Sequence, residues 1–275
     1  MGTNSRFSLS VALAWVVGVA LFIPILWMMM TAIRPEHELY QIPLKLLPGA
    51  LDWSNLETAW TEKSFGQYFY NSTLNSTLSV MFSMPIGIIT GYAFSRFEIR
   101  HSKYYRAYVL FAYMVPIIIL VVPFYLVAVQ LNLYNTRLGH VLGLSTYAIP
   151  FATWVMIGYF EQIPREVEHS AAVDGASRMK TLIYILIPMA RTGIIATALL
   201  TFILAWDDYI FALILLDSEH LRTLPLAIGY LSADYELTDG LMMAMGTITT
   251  LPILFLFVFF QKYFVGGMTS GAVKG

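Results

Sequence analysis

The sequence has 275 residues, of which 58% are hydrophobic and 12% charged, with a formal net charge of −1. An average soluble domain carries about 25% charged residues, so water is not the main solvent of this chain. The balanced charge gives no basic footprint for nucleic acid, and the absence of cysteine excludes disulfides, thiolate metal sites and a cysteine nucleophile.

Apolar runs along the chain predict an all-α membrane protein with six transmembrane helices, over about 9–33, 69–95, 107–131, 138–160, 191–216 and 241–265. Each is long enough to cross about 30 Å of hydrocarbon as a helix. The first run is too long for the apolar region of a secretory signal, about 7–15 residues, and reads as a retained helix. With the amino terminus inside, eleven basic residues lie on inner segments and five on outer ones, among them Arg34, Arg137 and Arg222. That asymmetry predicts both termini on the cytoplasmic side. The outer segment 34–68 holds Pro35, Pro43, Pro48, Gly49, Trp53 and Trp60, and reads as an ordered cap lying on the membrane.

In the second span Asn71, Asn75 and Ser79 fall on one helical face, which suits either the lining of a solute path or packing between spans. The two Asn-x-Thr triplets there match a glycosylation pattern, but a span entrance is no place for a glycan. Pro85, Gly87 and Gly91, with Pro116 and Pro123 in the third span, mark kinks.

The inner loop 161–190 is far longer than a link between two spans requires. Pro164 is suited to open a helix that continues through Val173, and Gly175 to a left-handed cap ending it. A second helix is predicted from Ala176 to about Ile187, stopped by Pro188. Ala171, Ala172, Gly175 and Ala176 leave room at the bend for another protein's backbone, and Glu166, Glu168 and Asp174 flank it. An ordinary amphipathic connector fits the same spacing.

In the fifth span, Asp207 and Asp208 stand between Trp206 and Tyr209. Ionised carboxylates facing lipid cost several kcal/mol, so they are predicted to face a polar cavity, a partner helix or outer water. Carboxylate acceptors beside aromatic faces suit a neutral polyhydroxylated solute; hydrogen bonds that only hold the span in place are the alternative. The outer segment 217–240 carries Asp217, Glu219, Asp234, Glu236 and Asp239 with Tyr230 and Tyr235, an acidic external loop.

The run Glu168-His169-Ser170-Ala171-Ala172-Val173-Asp174-Gly175-Ala176, followed by Ile187-Pro188, resembles the EAA loop of binding-protein-dependent ABC importers. Trp206-Asp207-Asp208-Tyr209 and the ending Gly267-Met268-Thr269-Ser270-Gly271-Ala272-Val273-Lys274-Gly275 resemble the smaller permease of the carbohydrate-uptake, maltose-transporter branch. The resemblance implies a type I importer permease core over 71–265, preceded by a first helix and external segment, 1–70, and followed by a tail, 266–275. It implies that Glu168, His169, Ser170, Ala171, Ala172, Asp174 and Gly175 contact an ATPase. It also implies a second homologous permease, two ATPase subunits holding ATP and Mg, and an external substrate-binding protein. Aligned through Asp174 and Gly175, the family's Glu-Ala-Ala falls on His169-Ser170-Ala171, so Glu168 is displaced by one residue, about 100° of helical rotation.

The sequence has no GxxxxGK[ST] segment to cradle a phosphate, so ATP hydrolysis is expected on another chain and this one is not read as an enzyme. An ion-coupled secondary transporter, with Asp207 and Asp208 binding a proton or sodium, is the alternative, although inverted repeats are not visible. An intramembrane aspartyl protease fits poorly, because adjacent helical residues diverge by about 100° and no Gly-x-Gly-Asp occurs. Sugar, polyol, glycerol and glycerol phosphate all remain open as the solute.

Overall fold

The computed structural model describes residues 3–43, 46–233 and 237–272, with side chains over 11–43, 46–233 and 237–263. Among the described residues the regular structure is helical, as lipid demands: every backbone donor and acceptor must be satisfied within the segment. In chain order the helices are α1 (Thr3–Ala32), α2 (Glu36–Leu39), α3 (Ser54–Thr61), α4 (Phe65–Arg96), α5 (Ser102–Met114), α6 (Ile117–Gln130) and α7 (Arg137–Glu161). Then follow α8 (Glu166–Val173), α9 (Arg178–Thr181), a π-helical turn (Leu182–Leu186), α10 (Ile187–Met189), α11 (Arg191–Trp206), α12 (Ile210–Leu215), α13 (Leu224–Leu231) and α14 (Asp239–Ala272). Four stretches, within α1, α4, α7 and α14, are long and apolar enough to cross a membrane unbroken, and two bent helix pairs bring the spans to six.

Two of the predicted spans are not straight helices. In the third, α5 and α6 meet at 93°. Each half is only about 20 Å long, too short to cross the hydrocarbon alone. The cause is local: Val115 is extended (ψ 125°) and Pro116 brings no N–H to continue the ladder. In the fifth, α9–α10 meets α11 at 79°. The helix predicted to run from 191 to 216 ends at Trp206 and restarts at Ile210. Asp207 and Asp208 therefore sit in a helix break, not on a helix face as expected from the sequence.

The chain forms two compact units, 1–66 with 227–252, and 67–226 with 253–275. Helix α14 continues to Ala272.

In the first unit the segment after α1 is ordered by Arg34, whose Nη2 donates to the Leu46 carbonyl at 2.9 Å while its own carbonyl accepts from Asn55 Nδ2. Tyr40 donates to Asp239 at the start of α14, at 2.9 Å. Gly246 of α14 is held against the Met28 sulfur of α1, where a Cβ would lie 2.9 Å away.

In the second unit α4 and α7 approach closely because α4 presents glycine. A Cβ at Gly87 would lie 2.6 Å from Ala152 Cβ, and one at Gly91 2.7 Å from Met156 Cβ. This is the small-residue contact by which membrane helices gain packing without a hydrophobic drive between them. The core above it gathers Val121, Ala128, Leu144, Tyr147, Ala148, Ala205, Phe211 and Leu215. A second core packs Tyr92, Met156, Phe160 and Ile163 against Leu182, Leu186 and Ala190, and carries the inner loop.

Candidate functional site

The two helix breaks of the second unit open on one cavity of about 760 Å³, within the range of small-molecule pockets. Tyr113 to Ile117 line it from the α5–α6 break, Tyr147 from α7, and Ile203, Leu204 and Asp207 to Ile210 from the α11–α12 break. Sequence reasoning placed Trp206, Asp207, Asp208 and Tyr209 together; the structure divides them. Asp207 and Tyr209 are exposed and line the cavity. Trp206 is buried, with its ring stacked on Phe202 and edge-on to Phe69, both at 5.7 Å.

Asp208 borders the cavity but is buried, 6% exposed, and its oxygens are taken. Oδ1 accepts from the Phe211 N–H at 3.4 Å, Oδ2 from the Ala212 N–H at 3.0 Å, and His140 Nε2 lies 3.2 Å from Oδ2. The carboxylate thus supplies partners to the orphan donors of a new helix, which explains why α12 begins where it does. Tyr147 reaches back to the Leu204 carbonyl at 3.3 Å.

Asn71 and Asn75 are almost fully buried, at 0% and 2% exposure, and in this conformation face the interior between helices. Asn71 Nδ2 donates to the carbonyls of His220 (2.8 Å) and Arg222 (2.9 Å), and its Oδ1 accepts from Gln67 and from Arg137 Nη2. Asn75 Oδ1 accepts from Arg137 Nη1 at 3.0 Å, and Asn75 Nδ2 lies 2.9 Å from His140 Nδ1. Ser79 is buried on the same helix. Sequence reasoning missed Arg137 and His140. It counted Arg137 only as an outer cation, although a histidine inside an apolar run was itself a signal of function.

The first half of the inner loop adopts the predicted form: α8 ends at Val173 and Gly175 takes φ +79°. The second half departs from it: the helix begins at Arg178, passes through the π-helical turn at Leu182–Leu186 and runs on through Pro188 to Met189, because a proline in the first turn of a helical segment needs no N–H partner there. Ser177 then caps α9, accepting from Lys180 N–H. His169, Ser170, Ala172, Asp174 and Gly175 are exposed, whereas Ala171 is buried. Glu168 turns inward. It forms an ion pair with Arg96 at the end of α4 and accepts from Tyr92 at 3.4 Å. Beside it lies a cleft of about 280 Å³ that includes Arg96, Arg165, Glu168, His169, Ala172 and Arg178. Val173, the last residue of α8, is 88% exposed, and Tyr184 in the π-helical turn is 75% exposed. Asp217 and Glu219 lie among the described residues of the outer segment, with Tyr68 donating to Glu219 at 3.2 Å. Asp234, Tyr235, Glu236 and Val273 to Gly275 lie outside the described residues, and Gly267 to Ala272 form the end of α14.

Residues 83–270 match the family described as "Binding-protein-dependent transport system inner membrane component". Among curated relatives, the "Probable ABC transporter permease protein YurM" of Bacillus subtilis is 31% identical, covering 94% of this chain and 85% of that protein. The "Trehalose/maltose transport system permease protein MalG" of Thermococcus litoralis is 30% identical over 92% of this chain and 91% of its own. Among solved structures, a chain of a bacterial ABC transporter involved in import of the acidic polysaccharide alginate superposes with a TM-score of 0.81 at 22% identity, covering 96% of this chain and 98% of that one. A match over 83–270, together with relatives covered over most of their length, places the chain among ABC importer permeases and not among ion-coupled transporters. The chain belongs to the family of binding-protein-dependent transport system inner membrane components, and is the membrane-embedded permease subunit of an ATP-driven ABC importer.

Proposed function

We propose that the chain passes a neutral polyhydroxylated solute, of the sugar or polyol class, through the cavity between its two helix breaks. The observation that carries this reading is Asp207, an exposed carboxylate on the wall of a 760 Å³ space in a membrane-spanning region. A carboxylate at such a place is stable only where polar groups or water meet it, and it offers acceptors to hydroxyl groups. The rings of Tyr113, Tyr147 and Tyr209 supply flat apolar surface for the other face of a sugar ring. A relative named for trehalose and maltose transport supports the same solute class.

In this reading the exposed face of α8, from His169 to Gly175, docks on a separate ATPase that binds ATP and Mg. Two such ATPases, a second homologous permease and an external substrate-binding protein complete the importer. The binding protein sits over the outer segment 217–240. The assembly lies in the cytoplasmic membrane with both termini of this chain inside. ATPase closure moves α8, and the helix breaks supply places where the spans repack as the cavity opens to one side and then the other.

The test is Asp207→Asn in the complete transporter, with saturable uptake measured across labelled trehalose, maltose and glycerol. The reading predicts a KM raised about tenfold for whichever solute is carried, the worth of one hydrogen bond to a charged group, with maximal ATPase rate retained. An unchanged KM and rate would remove the cavity from the path.

A further inference from the structure

The hydrogen bonds around Asp208 admit only one assignment of protons. Arg137 has donors and no acceptor, so the atom of the Asn75 amide facing its Nη1 must be the oxygen. The amide NH₂ then faces His140 Nδ1 at 2.9 Å, and that nitrogen must accept. A neutral imidazole that accepts at Nδ1 carries its proton on Nε2, and Nε2–H points at Asp208 Oδ2, 3.2 Å away. Asn71 fixes the far end in the same way. Its NH₂ is committed to the carbonyls of His220 and Arg222, so its oxygen is what Arg137 Nη2 meets at 3.1 Å.

The chain of donors runs from Arg137 through Asn75 and His140 to Asp208, with no member able to turn round. It ties α4, α7 and the start of α12, and Asn71 adds the outer segment at 220–222. His140 is 0% exposed, so neither ring nitrogen has water to fall back on.

From this geometry we infer that His140 is a positioning residue of the transport path: in a single tautomer it holds Asp208, and so keeps α12 seated as a wall of the cavity that Asp207 enters. The inference rests on the reading of that cavity as the path. His140 does not touch the cavity itself, since Asp208 stands between them. It also divides the labour of the two adjacent carboxylates. Asp208 is spent on the protein, with two backbone N–H groups and one imidazole on its oxygens, whereas the Asp207 carboxylate makes no hydrogen bond among the described residues and is left for the solute.

Two substitutions separate holding Asp208 from merely filling space between α4 and α7. His140→Gln places an amide donor near the Nε2 position and keeps the contact to Asp208. His140→Asn places its amide near the Nδ1 position, keeps the contact to Asn75 and leaves Asp208 unheld. The experiment measures amide hydrogen exchange at Phe211 and Ala212 in the intact transporter in lipid nanodiscs, with no solute needed. The inference predicts exchange about tenfold faster in His140→Asn and within about threefold of the parent in His140→Gln, the factor expected for one net hydrogen bond. Arg137→Met, which touches neither amide, is predicted to speed exchange by about threefold to tenfold through the freed Asn75 amide. Nitrogen NMR of selectively labelled histidine is predicted to show His140 protonated on Nε2 alone. Equal exchange in the two His140 variants, or a proton on Nδ1 in the parent, overturns the inference. Normal solute affinity in Asp207→Asn alongside the predicted exchange contrast would instead remove the path reading and leave the positioning of α12 in place.

Discussion

Asp207 and Asp208 are neighbours of identical chemistry, and the structure predicts opposite consequences for removing them. Asp208→Ala takes away the acceptor for the Phe211 and Ala212 N–H groups, a loss of about 1 kcal/mol for a helix cap. It also leaves the His140 Nε2–H unsatisfied where side-chain exposure is 1%, a further loss of about 1–3 kcal/mol. The sum is about 3 kcal/mol. Asp207→Ala removes an exposed carboxylate and falls within about 0.5 kcal/mol. Equilibrium unfolding in mixed micelles, titrated with a denaturing detergent and followed by circular dichroism, reads both. Similar destabilisation by the two substitutions, or a loss below about 0.5 kcal/mol for Asp208→Ala, would refute the assignment of Asp208 to the protein and Asp207 to the cavity.

At the inner loop, Glu168→Gln leaves Arg96, whose side chain is 6% exposed, without its counter-charge. The expected cost is about 3 kcal/mol, with loss of solute-stimulated ATPase activity in the reconstituted complex and partial recovery when the pair is reversed by Arg96→Glu with Glu168→Arg. Gly175→Ala forces a side chain into φ +79°, at about 1–2 kcal/mol, and is expected to lower the number of solutes moved per ATP while solute affinity stays constant. Gly91→Val drives a side chain into Met156 and is expected to lower stability by about 1–3 kcal/mol in thermal unfolding of the complex. Gly158→Val, at a helical glycine with nothing within 4 Å of its Cβ position, serves as the control and is expected to change stability far less.

The apolar runs were legible because lipid leaves a chain few options: a run of 20 or so apolar residues must become a helix. The bend of the inner loop was legible for a different local reason, a proline at 164 able to open a helix and a glycine at 175 able to take positive φ and end it. What was not legible arises from partners far apart in sequence. Pro116 announced a kink, but the 93° turn also needs the extended Val115. Asp208 looked like one more residue of a long helix. Its capping of α12 depends on His140, 68 residues earlier, and on Asn75, 65 residues before that. Arg137 served only in a count of charges until its two amide partners, 62 and 66 residues upstream, came into view. Glu168 was expected from the resemblance to contact an ATPase, with its position displaced by one residue from the family's pattern, and in the structure it pairs with Arg96, 72 residues earlier in the chain. Local pattern carries helices, caps and breaks; which side chains meet across them is set by packing.

The most direct test of the account uses the absence of cysteine in the native chain. A single cysteine introduced by Ala172→Cys, on the exposed side of α8, can be labelled or crosslinked without background. In membrane vesicles the account predicts reaction with an impermeant maleimide only from the cytoplasmic side, and a crosslink to the ATPase subunit whose yield changes when ATP is bound. Labelling only from the outside, or no crosslink to an ATPase under either condition, would contradict it.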